Sequence, residues 1–265
     1  MKRVFFYSVL YFLLCSLMLT PGFAQLSNFR IIDLTHEFSE ETVYWVTARE
    51  FDLDTVFMGD TEKGYYYSAY DFTTAEHGGT HLDAPIHFAK GRQSMEQIPL
   101  ENLIGSAIKI DVSERAFKDK DYQISVDDLL AWEKQHNKIP DGSIVLLQTG
   151  YSRYYPDKEK YLGTRERGEE AVKLLHFPGL SPDAAKWLVN NRKIKSIGID
   201  TPSIDYGQSE LFESHVILLS ENIPAFENLT ALEKLPAKDF DVIALPMKIK
   251  GGSGGPLRII ALLPK

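Results

Sequence analysis

The chain has 265 residues, 44% of them hydrophobic and 25% charged, with 37 acidic against 29 basic side chains and a formal net charge of −8. That length suffices for one large domain with its own core. The acidic balance argues against a nucleic-acid partner, whose phosphates demand a basic surface, and disfavours an anionic membrane.

The N-terminus reads as a secretory signal. Lys2 and Arg3 give a positive start, Val4 to Leu19 is almost continuously apolar, and Pro21-Gly22-Phe23-Ala24 offers small residues for cleavage before Gln25. The apolar run is too short for a membrane span. Leu14, ahead of Cys15, is not the small residue that lipoprotein processing uses. The expectation is a signal peptide over residues 1–24 and an exported mature chain, periplasmic or secreted, over residues 25–265. Cleavage would remove the only cysteine and leave 27 basic against 37 acidic residues, with no disulfide and no thiolate ligand.

No repeat, low-complexity run or long linker divides residues 25–265, so one domain is expected. In chain order, a strand is predicted at Phe29 to Leu34, and Tyr65, Tyr66, Tyr67 and Tyr70 read as sheet packing. The His-rich stretch at 77–88 follows. Strands are then predicted at Ala107 to Val112, Ser143 to Gln148, Ile194 to Ile199, Val242 to Leu245 and Leu257 to Leu263. Between them, Ser125-Val-Asp-Asp128 reads as a capping box ahead of Leu129, Leu130 and Trp132. Ser181-Pro182-Asp183 supplies an N-cap, a first-turn proline and an early negative charge for a helix to Asn191. A third helix is predicted over Glu210 to Leu219. This order implies an α/β domain with a mixed sheet rather than a doubly wound parallel one. Gly251-Gly-Ser-Gly-Gly255 lacks the Lys-Ser/Thr pair and helix start of a phosphate cradle, and reads as a flexible turn.

Residues 77–88, His-Gly-Gly-Thr-His-Leu-Asp-Ala-Pro-Ile-His-Phe, concentrate three of the seven histidines and a carboxylate. Gly78, Gly79 and Pro85 make the stretch a poor helix. In an extended chain, the odd-numbered His77, His81, Asp83 and His87 would share one face. Imidazole and carboxylate donors suit zinc, manganese or iron. Burying them together without an ion would cost several kcal/mol or force large pKa shifts. His36, His136 and His176 read as lone histidines with their hydrogen bonds satisfied. Downstream, His215 in the third helix and Glu227 among apolar neighbours are candidates to complete a coordination sphere. Asp200 and Asp205, at a strand end and the loop after it, either orient ligand histidines or cap loops.

His77-Gly-Gly-Thr-His-Leu-Asp-Ala-Pro-Ile-His87 resembles the H-x-G-T-H-x-D-x-P-x-H signature of the cyclase family of metal-dependent hydrolases, which includes bacterial kynurenine formamidase and isatin hydrolase. Supporting likeness extends over Ile31 to His36, Gly198 to Ser203, Ser214-His215, Glu227 to Leu229 and Lys248 to Arg258. The resemblance implies a cyclase-like swivelling β/β/α fold. It implies that His77, His81 and Asp83 bind one metal, that Asp83 and Glu227 bridge to a second ion also held by His215, and that His87 is the catalytic proton carrier. The ion would be Zn2+ or Mn2+, one or two per site. Formamidases of the family carry Trp-Pro-Gly-Asp ahead of the motif where this chain reads Tyr44-Trp45-Val46-Thr47, leaving Trp45 as the candidate to line a substrate pocket. The expected activity is hydrolysis of an amide or lactam C–N bond in a small aromatic or cyclic molecule, by a homodimer or higher homo-oligomer. Cyclisation, dehydration or lactone opening, and non-catalytic metal or ligand binding, are the alternatives.

Overall fold

The structure is a computed structural model that describes residues 26–265. The signal-like segment, with Cys15, lies outside the described residues. Among those described, no helix is long and apolar enough to cross a membrane.

Twelve strands are formed among the described residues: β1 (Phe29–Asp33), β2 (Asp52–Asp60), β3 (Tyr66–Thr73), β4 (His81–Asp83), β5 (Ile104–Asp111), β6 (Gln123–Ile124), β7 (Ile144–Gln148), β8 (Gly179–Leu180), β9 (Ser196–Ile199), β10 (Ala225–Glu227), β11 (Phe240–Pro246) and β12 (Gly254–Pro264). Eight make one sheet in the order β1-β12-β11-β5-β7-β9-β10-β4, and β12 pairs again with β4, so the sheet curls back on itself like a barrel. β5, β7, β9 and β10 run parallel to one another, while every pairing that involves β1, β4, β11 or β12 is antiparallel. The mixed sheet expected from the order of elements is therefore present in a single α/β domain.

The parallel strands explain their own composition. β7 reads Ile-Val-Leu-Leu-Gln and is buried at every position, as a strand covered on both faces must be. Ile144 and Leu146 face the interior of the curled sheet with Val242, Ala244, Ile259 and Ala261. Val145 and Leu147 face the other way, into a layer containing Leu129, Trp132, Ala184 and Leu188. Those four come from α1 (Val126–His136) and α2 (Pro182–Asn191). Both starts follow the sequence. Ser125 Oγ accepts from Asp128 N at 3.3 Å while Ser125 N donates to Asp128 Oδ2 at 2.8 Å, and Ser181 Oγ accepts from Ala184 N at 3.2 Å.

The third helix, α3 (Glu213–Ser220), begins later than the predicted Glu210 because Phe212 sits in the left-handed region at φ 48°. β2 and β3 form a separate antiparallel hairpin outside the main sheet, and their tyrosines are exposed rather than packed. Aromatic residues favour a core strand and a projecting arm alike, so composition alone did not separate them.

Candidate metal centre

Strand pairing assembles the centre. β4 is three residues long and is clamped between β10 and β12, with Glu227 paired to His81 and Gly254 to Asp83. His81 and Asp83, two apart in a strand, point to one side, and His81 Nε2 lies 3.1 Å from Asp83 Oδ1. The cross-strand partner Glu227 brings Oε2 to 3.5 Å from the same nitrogen. Facing the strands, α3 presents His215, whose Nε2 is 2.9 Å from Asp83 Oδ2 and 3.1 Å from Glu227 Oε1.

The shared-face argument holds for His81 and Asp83 only. Gly79 takes φ 55° and breaks the extended run, and Pro85–His87 form a 3-10 turn. His77 reaches the site from the loop before β4, with Nδ1 2.6 Å from Asp83 Oδ1, and His87 stacks on the His77 ring at 3.8 Å. All six residues expected at the site are nonetheless gathered there. Two donor groups share Asp83: His77, Asp83 and His87, and His81, Asp83 and Glu227.

The hydrogen bonds show which way each imidazole faces. His81 Nδ1–H donates to Gly79 O at 2.9 Å, and His215 Nδ1–H donates to Asp205 Oδ2 at 2.6 Å. His77 Nε2 lies 3.0 Å from Ser253 Oγ, whose own proton goes to Glu76 Oε2 at 2.6 Å. Each imidazole thus spends its outward N–H on the protein and turns its inward lone pair toward a carboxylate oxygen. Lone pair facing lone pair is repulsive unless a cation, proton or metal, lies between them. The donor set therefore fits a divalent ion bound by nitrogen and oxygen.

The titration behaviour follows from this crowding. Burial opposes it, yet the Asp83 and Glu227 carboxylates push His81 up to about 9. Against the same burial, Asp205, Asp83 and Glu227 hold His215 well above the usual imidazole range. Despite its own burial, Asp83 is held well below the carboxylate range by His77 and His81. Glu227 is pushed up, first by burial and then by the neighbouring Asp83 charge. His87 behaves differently, because burial drives it down to about 4 and leaves its imidazole neutral near pH 7.

Of the two aspartates proposed to orient histidines, only Asp205 does so. Besides His215 Nδ1 it accepts from the backbone N–H of Ser214 at 2.9 Å and of His215 at 3.1 Å. Asp200 touches no histidine; it accepts from Thr149 N and Oγ1, each at 2.7 Å, and from Gly150 N at 2.8 Å, and burial pushes it up to about 6. Its role is to hold the turn after β7, the loop-capping alternative. Of the lone histidines, His176 is paired with Asp121 at 2.8 Å, but His36 is not satisfied as expected. It stacks on Tyr155 at 3.7 Å, its Nε2 buried without a partner, and burial lowers it to about 4.

The centre forms the floor of a pocket of about 310 Å³ whose walls include Trp45, Phe88 and Phe212. Trp45 lines it as expected, 6.0 Å from Phe212, which in turn lies 5.3 Å from Phe88. Phe88 and Phe212 were not singled out from sequence, although one adjoins His87 and the other the helix carrying His215. Asn228 was also missed as a site residue. It lines the pocket, and its Oδ1 accepts from the buried Tyr161 hydroxyl at 2.9 Å. The Gly-Ser-Gly run is not a free turn: Gly254 and Gly255 are in β12, and Gly254 presses against the His77 ring.

The curled mixed sheet and the convergent histidine–carboxylate centre define a metal-binding α/β enzyme class. The Cyclase family model matches residues 32–206, and the chain belongs to that family. It is 31% identical over 248 residues to an isatin hydrolase of Roseibium aggregatum, covering 90% of this chain and 88% of that one. It is 28% identical over 231 residues to a kynurenine formamidase of Salinibacter ruber, covering 87% and 96%. The solved structure of isatin hydrolase A from Ralstonia solanacearum superposes with a TM-score of 0.80 at 32% identity, covering 89% of this chain and 93% of that one.

Proposed function

We propose that this protein is a metal-dependent hydrolase that opens an amide or lactam C–N bond in a small aromatic or cyclic substrate. The observation that carries the reading is the set of inward-facing donors His77, His81, Asp83, His215 and Glu227 at the floor of an aromatic-walled pocket. Relatives that hydrolyse isatin, a lactam fused to an aromatic ring, or an aryl formamide support it. A thiolate-free set of imidazoles and carboxylates suits Zn2+ or Mn2+, and the two donor groups that share Asp83 leave room for one ion or two.

When bound, the ion supplies Lewis-acid polarisation of the substrate carbonyl and brings water's acidity toward neutrality. The chain's own groups do the rest. His87, neutral at pH 7, takes a proton from the attacking water at an imidazole nitrogen as the C–O bond forms. It returns that proton to the leaving nitrogen as the C–N bond breaks. Trp45, Phe88 and Phe212 hold an aromatic ring and exclude bulk water. The signal-like sequence of residues 1–24 supports action outside the cytoplasm.

The test is elemental analysis of the purified protein, then a screen of lactams, aryl formamides, cyclic imides and lactones with and without chelator. The expected result is chelator-sensitive opening of a lactam or formamide. Undiminished turnover after metal removal, or turnover of lactones alone, would overturn the assignment.

A further inference from the structure

The three histidines of the donor set are held from behind in three different ways. His81 donates its outward N–H to a neutral backbone oxygen, Gly79 O, and His215 donates directly to the Asp205 carboxylate. His77 instead meets a hydroxyl, Ser253 Oγ, at 3.0 Å. It is also the least enclosed, its side chain 24% exposed against 3% for each of the other two. It stands in the loop ahead of β4, so neither a strand nor a helix sets its direction. Packing fixes this ring least, and its hydrogen bonds decide where it points.

Behind Ser253 stands a carboxylate. Glu76 Oε2 accepts from Ser253 Oγ at 2.6 Å and from Ser253 N at 3.0 Å. Glu76 itself does not line the pocket, whose wall passes from Ala75 to His77. A hydroxyl has one proton, and Ser253 Oγ gives it to the carboxylate in a short charge-assisted bond, keeping only lone pairs for His77. His77 Nε2 therefore carries the ring hydrogen, and Nδ1 keeps the lone pair that faces Asp83 Oδ1 at 2.6 Å. Without the carboxylate the Ser253 proton is free to turn to Nε2, which admits the opposite tautomer, with a hydrogen on Nδ1 where a lone pair is needed. The serine is itself pinned, because Ser253 O accepts from Ala84 N at 2.8 Å and Gly252 O accepts from Met95 N at 3.0 Å. The face of the same ring stacks on His87 at 3.8 Å, so its direction also sets the surface on which His87 rests.

We propose that Glu76 is a positioning residue of the centre: through Ser253 it fixes the tautomer and the direction of His77. The proposal rests on the reading of His77 as a metal ligand.

Zn2+ competition between the purified protein and a chromogenic chelator tests this in Glu76→Gln, Ser253→Ala, the double variant and His77→Ala, with thermal unfolding of each as the control for folding. Glutamine keeps the size and one acceptor oxygen of Glu76 but not its charge. Glu76→Gln and Ser253→Ala are each expected to weaken Zn2+ binding by about 10- to 100-fold. The double variant is expected to bind within about twofold of Ser253→Ala, because a residue that acts through the hydroxyl then has nothing to act on. A through-space effect of the Glu76 charge would persist in that background. Glu96→Gln is the contrast, since Glu96 Oε2 holds the same loop at Gly251 N, 2.9 Å away, and it should leave Zn2+ affinity unchanged. If Ser253→Ala does not fold, Glu76→Gln against Glu96→Gln decides the matter alone. Zn2+ affinity in Glu76→Gln equal to wild type or to Glu96→Gln, or the same loss with and without the Ser253 hydroxyl, would overturn the relay. Wild-type affinity in His77→Ala would remove the ligand on which it rests and overturn it as well. No readout uses turnover, so a protein that binds Zn2+ through His77 and hydrolyses nothing leaves this result standing.

Discussion

Asp205→Asn separates orientation of a ligand from ligation itself. Asp205 Oδ2 accepts the Nδ1–H of His215 at 2.6 Å, which fixes the tautomer and leaves Nε2 as the lone-pair atom facing Asp83 and Glu227. Asparagine can keep an acceptor oxygen for the backbone N–H of Ser214, which bonds Oδ1, but loses the charged Oδ2 acceptor that holds both the imidazole and the backbone N–H of His215. Removing such a partner costs about 10- to 100-fold in metal affinity, or about 1.4–2.7 kcal/mol. The assay is competition with a chromogenic chelator, with thermal unfolding of the metal-free protein as the control for folding. Asp200→Asn is the internal contrast. It strips an acceptor from the Thr149–Gly150 turn and should cost about 1–3 kcal/mol of stability, with metal affinity unchanged. Metal affinity within twofold of wild type in Asp205→Asn, or an equal loss in both variants, would refute the reasoning.

His87→Ala is expected to keep its metal and lose about 10²- to 10⁴-fold in turnover, measured by metal content and steady-state kinetics; loss of metal would make His87 a ligand instead. Gly254→Ala places a methyl group into the His77 ring, so chelator competition should show weakened metal binding, while the same change at Gly251, which meets no atom and costs only backbone strain at φ 75°, should leave affinity unchanged. His36 gives a pH dependence. Its folded pKa of about 4 lies below the 6.5 of a free imidazole, so the unfolded chain takes the proton first as pH falls. Stability is therefore complete above 6.5 and lost progressively down to about 4, by at most about 3 kcal/mol. Urea unfolding of metal-free wild type and His36→Phe at neutral and acid pH checks this, and an equal acid loss in both would exclude His36 as the cause.

Much of the centre was legible because its chemistry is local. Eleven residues from His77 to His87 carry three imidazoles, a carboxylate and the glycines that let the loop approach, and the capping residues Ser125 and Ser181 mark their helices by side-chain chemistry alone. What was not legible depends on pairing across distance. β10 is three residues long, too short for periodicity to reveal, yet its register against β4 is what sets Glu227 opposite His81. Asp200 and Asp205 are equivalent in sequence, and only the placement of α3 decides which one meets an imidazole. The hairpin was missed because its alternation is broken: Val56, Phe57 and Met58 run together at a bulge, and Tyr65, Tyr66 and Tyr67 are adjacent.

These elements depend on one another through β12. Its first residues pair with β4 beside Asp83, and its remainder pairs with β1 and β11, so the strand that closes the sheet also holds the shortest strand of the site. Gly254 allows the close approach to His77, and the next residue upstream, Ser253, takes the outward nitrogen of the same ring. Closure of the sheet and orientation of His77, a proposed metal ligand, are therefore one structural event. Two buried carboxylates, Asp83 and Glu227, meet where β4, β10 and α3 converge, and a bound cation relieves their repulsion. Metal binding should thus stabilise the curl of the sheet as well as complete the pocket floor, by an amount that grows with the logarithm of metal concentration over its dissociation constant.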